Sequence, residues 1–123
     1  RTLPGQADIF REQLRAVIGP DIEIESGERQ PALETTFDGP LVEAMKAALR
    51  AEDPGAHAVP YMLSGGTDAK AFSRLGIRCF GFSPLRLPAD LNFSALFHGI
   101  DERVPVDGLQ FGVRVLDRFL TAC

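Results

Sequence analysis

Four stretches of the chain carry apolar residues three or four positions apart, the spacing of one face of an α-helix. In the first, Phe10, Leu14, Val17 and Ile18 form the stripe. Pro4-Gly5 turns the chain ahead of it, Asp8 suits its first turn, and Gly19-Pro20 stops it. The second is expected from Pro40, with Asp38 or Gly39 as its cap. Its stripe is Leu41, Met45, Ala48 and Leu49, and Asp53-Pro54-Gly55 ends it. A third, short helix opens out of "SGGTDA" and is closed by Gly76. The last begins near Pro105 and places Leu109, Val113, Leu116 and Leu120 on one face, with Asp107 near its positive end.

Between the helices the period shortens. "RTLPG" reads as the tail of a strand. "DIEIES" alternates, with Ile22 and Ile24 on one side. "HAVPYML" predicts a strand whose Pro60 suits an edge or a strand start. "IRCFGFSP" predicts a second apolar strand. Residues 1–26 thus read as strand end, helix and strand, too little to bury its own face. The polar stretch "GERQPALETTFDGP" reads as a connection. From residue 39 the expected order is helix, strand, helix, strand, loop, helix, which predicts an α/β layer structure. Residues 84–97 form a long loop, a common place for function.

Composition narrows the function classes. The chain has 123 residues, enough for one domain with a core. A net charge of −4 argues against a nucleic-acid partner. No apolar run is long enough to span a bilayer, so no membrane role is expected. Cys79 and Cys123 match no metal or redox spacing. Cys79 lies in an apolar run and reads as buried filler, which fits a reducing, cytoplasmic compartment. The opening "RTLPG" reads as most of a strand missing, so a piece of a longer chain is expected.

Two places carry candidate chemistry. In "SGGTDA", Gly65 and Gly66 let the backbone approach a ligand closely, and Thr67 adds a hydroxyl. Free N–H groups at the following helix start would suit a carboxylate or phosphate. A plain strand-to-helix turn, with Thr67 or Asp68 as a cap, explains the same residues. In "LFHGIDERVP", His98 is a candidate metal ligand, and Gly99 leaves room beside it. Asp101 or Glu102 could orient it. A hydrogen-bonded histidine without a metal remains the alternative. His57 reads as a solvated loop residue, and nothing in the spacing gives Arg86 a required role.

"GGTDAKAFSRLGIRCFGFSP" followed by "LFHGIDERVPVDGL" resembles the C-terminal part of the dinuclear zinc hydrolases related to aminoacylase, carboxypeptidase G and succinyl-diaminopimelate desuccinylase. The branch that includes carboxypeptidase S looks closest. The resemblance implies the closing part of a zinc-exopeptidase-like helix/sheet/helix domain over 28–123. Residues 1–27 would be the second half of an α+β lid, or dimerisation, domain. His98 would be the last zinc ligand. Gly65, Gly66 and Thr67 would contact the carboxylate end of the substrate. Glu102 and Asp68 would support the site from behind. No catalytic base is placed, because the family's base and its other ligands to two zinc ions belong to a half not matched here. The implied reaction is amide hydrolysis of N-acyl amino acids or short peptides with a free carboxylate. The chain alone would be inactive, would need the N-terminal part of the same protein, and would self-associate. A non-catalytic α/β module binding an anionic ligand or a protein partner is the alternative.

Overall fold

The computed structural model describes residues 2–25, 27, 32–63 and 65–123. Parts of three sequence segments discussed above, at positions 1, 26 and 28–31, and Ser64 of the Gly-Gly turn, lie outside the described residues. Four α-helices form: α1 (Ala7–Ile18), α2 (Pro40–Glu52), α3 (Ala69–Ser73) and α4 (Val106–Ala122). A 3₁₀ turn, Phe93–Leu96, interrupts the long loop before α4.

The helix ends follow local chemistry. Leu3 to Gln6 make a turn closed by the Gln6 N–H on the Leu3 carbonyl at 3.1 Å. Gly5, at φ 73°, takes the left-handed position that a type II turn needs after a proline. Pro40 opens α2 from Gly39, and the missing proline N–H is one that a first helical turn leaves unused anyway. Past α3, Gly76 sits at φ 76°. Its N–H reaches the Ser73 carbonyl at 3.0 Å, and the Ile77 N–H reaches that of Phe72 at 3.3 Å. This paired closure is a Schellman motif, for which glycine is the favoured residue.

The expected sheet is absent. Among the described residues every regular element is helical and none is a strand. The α/β reading, with its helix/sheet/helix domain and its half of an α+β lid, is therefore overturned. A strand exists through its ladder, and among the described residues the four segments expected as strands form none. In residues 57–63, Val59, Tyr61, Met62 and Leu63 are exposed, and Pro60 has no N–H to give. Residues 77–84 hold to other groups: Arg78 Nη2 donates to the Thr36 carbonyl at 2.7 Å. Cys79 is half-buried rather than buried, with its thiol near the Ile77 carbonyl at 3.6 Å.

The chain divides into two compact units, residues 1–36 with 61–80, and residues 37–60 with 81–123. The first holds α1 and α3. No residue of α1 is buried, and Ile9, Phe10 and Val17 are at least half exposed or nearly so.

The second unit holds the core. Helix α2 contributes Val42, Met45 and Ala48, spaced by three, and α4 contributes Phe111 and Val115. Leu49, Phe82 and Phe119 close around Ala48, Phe111 and Val115. The rings of Phe82 and Phe119 meet edge-on at 5.5 Å, a favourable geometry for aromatic quadrupoles. The buried face of α4 is Gly108, Phe111, Gly112 and Val115. The stripe expected from the sequence, Leu109, Val113, Leu116 and Leu120, faces solvent. Leu41 of α2 is likewise exposed, and Val42 takes its place inside. The glycines decide the rotation of α4. They let the backbone at Pro84 and Arg86 lie directly on the helix, closer than a side chain would permit.

One ion cluster ties the two core helices. Glu52, at the end of α2, accepts from Arg114 Nε at 2.8 Å and from Arg118 Nε at 2.5 Å. These hydrogen bonds, Arg114's first, and the attraction of the two guanidinium charges hold its carboxyl below the ordinary value of 4.5. On acidification the unfolded chain therefore takes up this proton before the folded chain does, and folding loses stability. The contribution is full above about pH 4.5 and fades as pH falls through the lowered value. A Glu52→Gln variant should differ most from the native chain at neutral pH and converge on it in acid. Urea midpoints measured from pH 7 to pH 3 check this.

Candidate functional site

The two predicted motifs belong to different units. Gly65, Gly66, Thr67 and Asp68 lie in the unit that holds α1 and α3, and His98 and Glu102 lie in the unit that holds α2 and α4.

In the first motif, neither glycine is in the left-handed region. Among the described residues, a methyl group added to Gly66 would meet nothing within 4 Å, and one on Gly65 would only touch the Leu63 side chain at 3.5 Å. The surrounding chain therefore does not itself require these glycines. The Thr67 carbonyl accepts from Lys70 N–H at 3.2 Å, and the Asp68 carbonyl accepts from Ala71 and Phe72 N–H at 2.9 and 3.1 Å. No side chain caps α3, so neither Thr67 nor Asp68 plays the capping part that the sequence allowed. With five residues, α3 has little dipole to offer an anion. What the turn presents is exposed backbone at Gly66 and an exposed Thr67.

The second motif is more elaborately built. Asn92 starts the 3₁₀ turn by accepting from the Ala95 N–H at 3.3 Å and from the Ser94 hydroxyl at 3.1 Å. Phe93 and Phe97 pack edge-on at 5.2 Å. The Gly99 N–H closes on the Leu96 carbonyl at 2.9 Å. His98 between them sits at φ 60°, the one non-glycine residue with positive φ among those described. Histidine tolerates this region better than most residues, and the position is still uncommon. Its N–H donates to Glu102 Oε2 at 3.2 Å. Glu102 thus meets His98 through the main chain, where the spacing had suggested contact with the ring. Asp101 is linked to Arg103, whose Nη1 donates to the Asp101 carbonyl at 3.0 Å. His98, Asp101 and Glu102 are all exposed, as is His57.

The chain matches the model of peptidase family M20/M25/M40 over residues 4–122. It belongs to that family. The match takes in α1, both candidate motifs and all of α4. No curated protein and no solved structure gives a significant match. Members of M20/M25/M40 are peptidases and related hydrolases, generally metal-dependent. The described residues do not by themselves fit a metal: no three His, Cys, Asp or Glu side chains among them converge on one point. Glu102, the carboxylate tied to His98, is engaged with an N–H. One imidazole is a single arm of such a centre. No helix among the described residues is long and apolar enough to cross a membrane.

The sequence reading missed Asn92. Asn92 ahead of Phe-Ser-Ala, three residues before the amide it accepts from, was a legible cap signal, since its short side chain competes for nearby backbone N–H groups.

Proposed function

We propose that this chain supplies one metal arm and the carboxylate-holding turn of a zinc-dependent hydrolase. The bond cleaved is the amide of an N-acyl amino acid or of a short peptide with a free carboxylate, a deacylase or carboxypeptidase type of reaction. The observation that carries the reading is the family match over residues 4–122, which includes both motifs. His98 would hold zinc, with Glu102 and Asp68 in support. Backbone N–H groups at Gly65, Gly66 and Thr67 would hold the substrate carboxylate and so fix which bond reaches the reactive centre. The base and the remaining ligands to a two-zinc centre would come from polypeptide outside these residues, and the assembled enzyme would be an oligomer.

A titration and a hydrolysis assay test the reading on the chain as it stands. Zinc followed by calorimetry should show one weak site, lost in His98→Ala and kept in His57→Ala. N-acetyl amino acids should not be hydrolysed above the buffer rate. A zinc site that survives His98→Ala contradicts the assignment, as does hydrolysis by the chain alone. Gly66→Ala is a clean probe of the turn, because its methyl meets nothing within 4 Å among the described residues. Tight carboxylate binding without zinc, abolished by Gly66→Ala, would favour a non-catalytic binding module instead.

A further inference from the structure

Resting on the reading of His98 as a ligand, we propose that Glu102 is a positioning residue that acts through the peptide backbone. The left-handed conformation of a residue with a Cβ costs energy and persists only where its surroundings impose it. Three contacts impose it on His98. On one side, the Gly99 N–H closes on Leu96 at 2.9 Å. On the other, Glu102 Oε2 takes the His98 N–H at 3.2 Å, and the Glu102 N–H returns to the Gly99 carbonyl at 3.4 Å.

Residues 98–102 therefore form a small ring in which the glutamate carboxylate is the closing group. Reversing the sign of φ at His98 would swing its Cα–Cβ bond to a different direction. The ring thus sets where the imidazole leaves the main chain before any metal arrives. Gly99 fits the same device: a Cβ there would come within 3.1 Å of the Leu96 carbonyl that the turn needs. A carboxylate accepting an N–H makes a stronger bond than a neutral oxygen does. An amide oxygen in the same place would still close the ring.

The test is made on the metal-free chain, by solution NMR of the His98 amide. Glu102→Ala should raise its hydrogen-exchange rate about tenfold, as loss of a charge-assisted hydrogen bond implies. The three-bond coupling between its amide and α protons should change as φ averages toward negative values. Glu102→Gln should restore most of both. Amides of α2 and α4 should keep their native protection in both variants, which separates local positioning from general stability. Unchanged exchange and coupling at His98 in Glu102→Ala overturn the proposal. So does a uniform loss of protection across the second unit. Zinc plays no part in these readouts. A failed zinc titration would remove the functional reading and leave the backbone device standing, whereas an unchanged coupling would do the reverse.

Discussion

Phe111→Ala is expected to cost about 3–5 kcal/mol, the range for deleting a buried aromatic ring, whereas Leu109→Ala should stay within about 0.5 kcal/mol. The two residues are neighbours but one on the same helix and differ in what they touch. Phe111 is 5% exposed and packs with Ala48 and Val115. Leu109 is 54% exposed. The buried apolar set of the second unit is small: Val42, Met45, Ala48, Phe111 and Val115. Against a total stability of about 5–15 kcal/mol for an ordinary domain, losing the one aromatic ring in that set should unfold the unit under mild denaturant. Urea titrations of the two variants, followed by far-ultraviolet circular dichroism, decide it. Equal losses would mean that α4 is rotated, with Leu109 inside.

That comparison also shows what the sequence could reveal. The helices were legible because their ends are set locally, by Pro40 after Gly39, by Gly19 after α1 and by Gly76 after α3. The buried face of α4 was not. The helix is apolar on two sides, one with Leu109, Val113, Leu116 and Leu120, the other with Gly108, Phe111, Gly112 and Val115. A period of 3.6 fits both. Ranking by side-chain size favours the leucines, while close packing here favoured the glycines. The strands failed for a related reason. Strand propensity describes fitness for a pleated, half-covered surface, and the segments at 57–63 and 77–84 have the propensity without a partner strand among the described residues.

At the candidate site, the connections were not legible. The spacing left Asp101 or Glu102 as the carboxylate beside the His98 ring, and φ is invisible in a one-dimensional pattern, so the bond from the His98 N–H to Glu102 could not be read. The Glu52 cluster is further from reach. Its arginines lie 62 and 66 positions along the chain, and only the packing of α2 on α4 brings them together.

Gly112→Ala separates local preference from packing by its sign. Inside a helix, alanine is favoured over glycine by about 1 kcal/mol, so propensity alone predicts a more stable protein. The structure predicts the reverse. A Cβ on Gly112 would lie 2.7 Å from the Pro84 carbonyl oxygen and 3.3 Å from the Leu85 side chain. The nearer neighbour is backbone, so no rotamer change relieves the clash, and Pro84 is itself buried. The segment must lift from the helix or α4 must turn, a class of overpacking that costs roughly 1–3 kcal/mol. The net expectation is a loss of up to about 2 kcal/mol once the helix preference is subtracted. Gly108 meets the Arg86 carbonyl at the same 2.7 Å, one turn earlier. Gly108→Ala should therefore destabilise by a similar amount, and the double variant by more than either. Because both changes lift the same short segment, the second should cost less than the first. Urea midpoints of the three variants test this ordering. A midpoint that rises in Gly112→Ala would show that residues 84–86 do not lie against α4, and the rotation assigned to that helix would fall with it.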